Sequence, residues 1–260
     1  MLLDDIKILI VPDVHCRDFW RQPVTEVLAE TKAKIVFLGD YVDGYPDEWD
    51  TDVDYRTLGV ENFEEIIELK KKYPKRIKLL LGNHDCEYIS RHCRECRKDY
   101  AHIKEISTLL YDNFESFDLV FKASINKRQF LFSHAGVLRP WYKWHSDIFG
   151  KGQPNANKFN NLLHGTEEEQ DKLFKALGEY SYRRGGWDRV GSMIWADVTE
   201  QYNIKERYKF TQIFGHTRLR KGAINFENLL YDLDGLECFY IDRNGDVRYY
   251  ETGNIVEKTI

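Results

Sequence analysis

The sequence predicts an α/β fold, and three observations carry that expectation. The first half alternates short β-rich apolar runs with helical stretches, while the second half packs strand after strand. Polar blocks rich in Asp, His and Asn sit where the apolar runs end. In open α/β sheets ligands bind outside the carboxyl ends of the strands, which is where these blocks fall. At 260 residues the chain is within range for one large domain, so residues 1–260 are read as a single unit.

Lys7–Val11 is the first strand, and a helix is expected from near Pro23, since Pro is well placed in a first helical turn. Lys34–Leu38 is the second strand. An acidic loop, Tyr45–Asp54, leads into a helix over Leu58–Tyr73, where Val60, Phe63, Ile66 and Ile67 recur at helical spacing and Pro74 stops it. Arg76–Leu81 is the third strand, and Cys86–Lys98 reads as a further helix. Leu119–Ser124 and Gln129–Phe132 pair across a turn near Asn126. Later strands are expected at Phe210–Phe214, Ala223–Phe226, Glu237–Ile241 and Val247–Glu251, with Asn244-Gly245 as a hairpin turn because both residues tolerate positive φ. Trp141–Met193 holds one periodic helix, Glu167–Leu177, amid Trp, Tyr, Gly and Arg. Its 141–191 portion is expected to fold over the rim of the site as a cap.

Composition excludes several functions. A net charge of −5 and pI near 5.9 give no general pull toward nucleic acid or an anionic membrane. No apolar stretch approaches the roughly 20 residues that span a bilayer, and the N-terminus lacks a secretory pattern. Five cysteines, an odd number, argue against a disulfide framework. Cys93-Arg-Glu-Cys96 has no second such pair to complete a structural zinc site. Reduced thiols and a cytoplasmic location are the expectation. His92, His102, His145 and His164 have no motif around them. Trp141, Trp144 and Trp187 read as core or interface, and Lys70–Lys72 as the solvated end of a helix.

Five blocks remain: Asp13-Val-His15, Gly39-Asp40-Tyr-Val-Asp43, Gly82-Asn83-His84-Asp85, Ser133-His134-Ala-Gly136 and Gly215-His216-Thr217. Alternate side chains of a strand share a face, so Asp13 and His15 can reach one ion. A carboxylate has two oxygens, so Asp40 can bridge two. Counting donors gives one ion Asp13, His15 and Asp40, and the other Asp40, Asn83, His134 and His216. Mixed O/N sets suit Mn, Fe, Zn or Ni, so two divalent transition-metal ions are expected, with Mn favoured. Two adjacent metals suit in-line displacement at phosphorus.

This arrangement resembles the calcineurin-like metallophosphoesterase superfamily, from Asp13 to His216. Gly39-Asp40-Tyr41-Val42-Asp43, Gly82-Asn83-His84 and Ile194-Trp195-Ala196-Asp197 are most similar to its phosphoprotein phosphatase branch, which includes bacterial and phage Ser/Thr phosphatases. Arg218, where other branches carry a second late His, also fits that branch. The resemblance implies a four-layer αββα sandwich and hydrolysis of phosphomonoesters by in-line attack of a metal-bound hydroxide. His84 would protonate the leaving oxygen and Asp43 would hold its imidazole. The implied partner is a phosphorylated substrate, a phosphoprotein or alternatively a nucleotide such as a dinucleoside polyphosphate or nucleic-acid end. A non-catalytic scaffold is a further alternative. Three positions depart from the branch. Pro12 and Cys16 replace glycines, and Gly44 stands where an Arg normally grips phosphate. Arg17, Arg183, Arg184, Arg189 and Arg218 could replace it, and Arg183 and Arg189 are favoured for their Gly-rich loop.

Overall fold

A computed structural model describes residues 3–93, 97–204, 207–219 and 222–259. In chain order it contains β1 (Ile6–Val11), α1 (Arg21–Glu30), β2 (Lys34–Phe37), α2 (Tyr55–Lys72), β3 (Ile77–Leu80), α3 (Asn83–Ile89), α4 (Ile103–Asp112), β4 (Phe117–Asp118), β5 (Phe121–Ile125) and β6 (Arg128–Phe132). There follow α5 (Arg139–Trp144), α6 (Ser146–Phe149), α7 (Ala156–Leu163), α8 (Glu167–Leu177), α9 (Val198–Asn203), β7 (Thr211–Phe214), β8 (Ile224–Phe226), β9 (Leu230–Asp232), β10 (Phe239–Asp242) and β11 (Val247–Tyr249).

Two sheets form. One has six strands in the order β11-β10-β1-β2-β3-β4, the other five in the order β5-β6-β7-β9-β8. In the first, β1, β2, β3 and β4 are parallel; in the second, β6, β7 and β9 are parallel. Period-two alternation explains the layering. Ile8, Ile10, Val36, Leu38 and Leu80 face Phe130, Phe132, Ile213 and Tyr231 in the core between the sheets. Leu9, Val11, Ile35, Phe37 and Leu79 turn the other way, onto Val24, Phe63 and Ile66 of α1 and α2. On the far sheet Leu131 meets the helical core containing Trp141, Phe159 and Leu173, and Phe214 and Leu230 meet Val198 of α9. The two sheets therefore cover each other's inner faces, and helices cover their outer faces, giving the αββα order.

Strand positions follow the sequence closely. The turn after β5 uses Asn126 and Lys127 at φ +46° and +66°, and Gly245 closes the later hairpin at φ +87°. Four differences stand out. The helix expected over Cys86–Lys98 is α3, which starts at Asn83 and ends at Ile89. Ser90 is extended, and its hydroxyl accepts the His92 N–H, a local bond that competes with helix continuation. Cys96 lies outside the described residues. Helix α4 and strand β9 were not expected from the sequence. Residues 141–191 are more helical than expected, with α6 and α7 as well as α8. Their side chains Trp141, Phe149, Phe159 and Leu163 are buried.

Cys16, Cys86, Cys93 and Cys238 are buried free thiols. Each motif-free histidine has a carboxylate within ion-pair reach: His92 with Asp171, His102 with Asp99, His145 with Glu179 and His164 with Glu115. Among the described residues no helix is long and apolar enough to cross a membrane. Phe132 is fully buried between the sheets one residue before the Ser133-His134 block. Phe132→Ala is expected to cost about 3–5 kcal/mol, the usual range for a deleted core aromatic. Urea unfolding should show a lower midpoint at similar slope; an unchanged midpoint would mean that this layer carries little of the stability.

Candidate metal centre

The carboxyl ends of six parallel strands, β1, β2, β3, β6, β7 and β9, converge on one point. The loops leaving them deliver Asp13 and His15, Asp40 and Asp43, Asn83 and His84, His134, His216, and Asp234. All of these side chains are buried. Sharp turns aim them. His15, Asp40, Asp43 and His216 have φ of +44°, +53°, +61° and +71°, a backbone region that non-glycine residues enter only under outside constraint. The constraint is visible in hydrogen bonds. Asp85 accepts from the N–H groups of Gly82, Asp40 and Tyr41 at 2.8, 2.8 and 3.1 Å, tying the β2 and β3 loops together. The Asp13 carboxylate accepts the His216 N–H at 3.1 Å, tying one sheet to the other.

Glycines let the carboxylates approach. A Cβ on Gly82 would lie 2.1 Å from Asp40 Oδ1, and one on Gly215 the same distance from Asp13 Oδ1. Gly44 is also explained, because a Cβ there would meet the Tyr55 ring at 2.9 Å and His15 O at 3.2 Å. No arginine fits at that position without moving Tyr55. Cys16, where the branch has glycine, accepts the Gly44 N–H at 3.2 Å, and burial pushes its thiol up to about 12.

The donor set fits divalent cations. Nδ1 of His15 and of His134 donate to the carbonyls of Val42 (3.0 Å) and Leu38 (2.9 Å), so Nε2 of each carries a lone pair. Both Nε2 atoms lie 3.5 Å from Asp40 Oδ2. His134 Nε2 also faces Asn83 Oδ1 at 2.9 Å and His216 Nδ1 at 3.1 Å. A neutral imidazole lone pair against an amide oxygen is repulsive unless a cation lies between them. Burial is the largest cause keeping His15, His134 and His216 below the ordinary imidazole range, and Arg184 adds to it at His216. Neutral imidazole is the form that binds metal. Two groups of ligand atoms are close enough to hold an ion, Asp40 with His134 and His216, and Asp40 with His15 and His84. Asp40 belongs to both. Burial resists its charge, yet His134, His84 and His15 outweigh burial and hold its carboxyl below the ordinary value.

His84 differs from its neighbours. Its Nδ1 lies 2.8 Å from Asp43 Oδ2, and its backbone N–H donates to Asp40 Oδ1 at 3.0 Å. Burial opposes its charge, but Asp40 and the Asp43 hydrogen bond win and raise its pKa. Asp43 Oδ1 in turn accepts from the Tyr88 hydroxyl at 2.6 Å and the Asp99 N–H at 2.9 Å. The His84 ring also stands edge-on to that of His15, with centroids 5.0 Å apart.

His15, Asp40, His134 and His216 fall in the two groups, Asn83 Oδ1 faces His134, and Asp13 falls in neither group. Asp13 is the least direct, since its carboxylate is engaged by the His216 N–H, while burial and the charges of Asp234 and Asp40 raise its pKa. The favoured arginines do not reach it. Arg183 and Arg189 are exposed, with their guanidinium groups over the rings of Tyr182 and Trp144. Among the described residues neither guanidinium bonds a residue of the centre. Arg184, between them, donates to Thr217 Oγ1 at 2.7 Å and pairs with Asp197 at 3.2 Å. Sequence reasoning also missed Asp85, Tyr88, Arg97 and Asp234. Asp85 belongs to the Gly82-Asn-His-Asp85 block, and Asp232-Leu-Asp234 repeats the spacing of Asp13-Val-His15 after an apolar pair, a usable signal. Tyr88 and Arg97 carry none.

Two sheets covered by helices, with O and N ligands gathered at the strand ends, define a metal-dependent phosphoesterase. The chain belongs to the calcineurin-like phosphoesterase family, whose model matches residues 6–218. That family uses divalent metals and acts on phosphorylated substrates. Solved structures agree on the fold. A cold-active protein-tyrosine phosphatase of a psychrophilic Shewanella species is 13% identical with a TM-score of 0.51, covering 97% of this chain and 81% of that one. A Saccharomyces cerevisiae protein serine/threonine phosphatase, described as similar to human PP5, is 17% identical with a TM-score of 0.50, covering 91% and 73%.

Gly82→Ala and Gly215→Ala test the close approach of the carboxylates. Each is expected to leave the far-UV circular dichroism unchanged and to lower the divalent metal retained after dialysis, measured by plasma emission. Wild-type metal retention in both would mean that Asp40 and Asp13 do not need their observed positions.

Proposed function

We propose that this chain is a binuclear phosphomonoesterase of the Ser/Thr protein phosphatase kind. The observation that supports it most is a single carboxylate, Asp40, shared by two groups of ligand atoms, one with His134 and His216 and one with His15 and His84, of which His84 is also bonded to Asp43. In this reading Asp13, His15 and Asp40 hold one ion, and Asp40, Asn83, His134 and His216 hold the other. His84 is reserved for proton transfer, because its Nδ1 is committed to Asp43 and its charged form is favoured. When bound, two divalent ions, Mn in our proposal, lower the pKa of water toward neutrality and stabilise the oxygens of an in-line displacement at phosphorus.

The chain's own residues supply the rest. His84 gives its Nε2 proton to the leaving oxygen. Asp43 fixes the ring through Nδ1, and Tyr88 and Asp99 fix Asp43. Residues 141–191 form the rim in this reading. Arg184 anchors that segment to Thr217, while Arg183 and Arg189 lie exposed on it, over the rings of Tyr182 and Trp144. Burial of four free thiols accords with a reducing, cytoplasmic setting.

With Mn²⁺ and p-nitrophenyl phosphate, wild type is expected to turn over and His84→Asn to lose roughly 10²–10⁴-fold in kcat, the span of a general acid. Turnover that survives His84→Asn or Asp40→Asn would refute the assignment. A phosphodiester that outperforms every monoester would move the chain to a phosphodiesterase. The pH dependence has a definite sign. His84 acts protonated, and Asp43 helps raise its pKa, so activity falls as pH rises through that value. Asp43→Asn should move the alkaline limb of kcat to lower pH, and a limb that stays in place would remove Asp43 from the proton-transfer pair.

A further inference from the structure

Beside the centre, three guanidinium groups gather on one ring. Arg97 Cζ lies 3.6 Å from the centroid of Tyr45, Arg218 Cζ 4.0 Å and Arg17 Cζ 5.7 Å. Tyr45 itself stands edge-on to His15, with centroids 5.0 Å apart. Arg17 Nη1 donates to the Asp13 carbonyl at 3.3 Å and Arg97 Nη2 to the Asp43 carbonyl at 2.7 Å. The cluster is therefore the wall of the centre on the Asp13–Asp43 side. An aromatic face tolerates one stacked cation well, but three repel each other unless an anion joins them.

The chain supplies that anion from the turn Pro46–Glu48. The Glu48 carboxylate accepts from Arg17 Nε at 2.7 Å and from Arg218 Nη2. Asp47 is mostly exposed, 3.9 Å from Arg218. Donor capacity is left over. Arg17 Nη2 is buried and has no hydrogen-bond partner among the described residues, an arrangement that costs free energy until an acceptor arrives. Arg218 is about one-third exposed, so the cluster opens to solvent.

We propose that Arg17, Arg218, Arg97 and Tyr45 form a subsite for a carboxylate on the leaving-group side of the substrate, an acidic residue near the phosphorylated one in a peptide. Glu48 is the intramolecular carboxylate that the peptide's acidic side chain replaces. Planar guanidinium forks match carboxylates in two-point geometry, and Glu48 shows that a carboxylate is accepted here. Exchange is feasible because the Glu48–Arg218 pair is partly solvated, and such pairs contribute little net stability. This rests on the protein phosphatase reading.

The test uses the full Mn-loaded chain and two phosphoserine peptides that differ only in Glu or Ala beside the phosphoserine. Wild type should favour the acidic peptide in kcat/KM by about fivefold, the upper end for a partly exposed charged pair. Glu48→Gln, which keeps the shape and removes the competing charge, should lower KM for the acidic peptide and leave the neutral one unchanged. Arg218→Gln should bring the two peptides together. Equal kcat/KM in wild type, or a preference that neither variant alters, overturns the subsite. If p-nitrophenyl phosphate is hydrolysed and neither peptide is, the protein phosphatase reading fails by itself. Fluorescence anisotropy of the same peptides then decides the subsite. Tighter binding of the acidic peptide, tighter still in Glu48→Gln, supports it, and equal binding refutes it.

Discussion

The structure depends on keeping one charged carboxylate buried. Asp40 has almost no solvent exposure, and desolvating a carboxylate without compensation costs several kcal/mol even after relaxation. Its partners come from the loops after β1, β3 and β6. Oδ1 takes the His84 N–H, Oδ2 faces the imidazoles of His15 and His134, and its own N–H is held by Asp85. Those partners are useful only if β1, β2, β3 and β6 end together, so the parallel pairing in the first sheet and the packing between sheets serve one electrostatic requirement. The carbonyls of Val42 and Leu38, which fix the imidazoles, come from the same strand-end loop as Asp40.

The neighbouring histidines divide into two kinds for physical reasons. Burial holds His15, His134 and His216 below the ordinary imidazole range, and the neutral form that this favours suits them as ligands. His84 is just as buried, but the charge of Asp40 together with its bond to Asp43 reverses the balance and favours the charged form. Asp43 can do this because Tyr88 and Asp99 fill its other oxygen, leaving Oδ2 for the imidazole.

Much of this was legible in the sequence, because each ligand follows a short uninterrupted apolar run and strand ends are easy to see. Lys34–Leu38 and Arg76–Leu81 locate Asp40 and Asn83, each three residues beyond the end of β2 or β3. Strand β9 escaped because only Leu230, Tyr231 and Asp232 form it, so Asp234 was never placed beside Asp13. Helix α4 escaped although Ile103, Ile106 and Leu110 are suitably spaced, and α3 was extended too far because the Ser90 turn interrupts a helix-like composition. The arginines were hardest. Arg183, Arg184 and Arg189 share one Gly-rich stretch, yet only Arg184 turns inward, a matter of its partners Thr217 and Asp197. Arg97 reaches Tyr45 through a loop whose course no local pattern encodes.

The central proposal is that Asp40 would join two ions into one centre. Electron paramagnetic resonance of the Mn²⁺-loaded chain tests it most directly, because two Mn²⁺ bridged by one carboxylate couple their spins. The account predicts a coupled multiline spectrum in wild type, and an uncoupled signal from one ion in both His15→Ala and His216→Ala. Asp40→Asn should lose the coupling altogether. An uncoupled wild-type spectrum at saturating Mn²⁺, or a coupled spectrum that persists in Asp40→Asn, would contradict the shared-carboxylate centre.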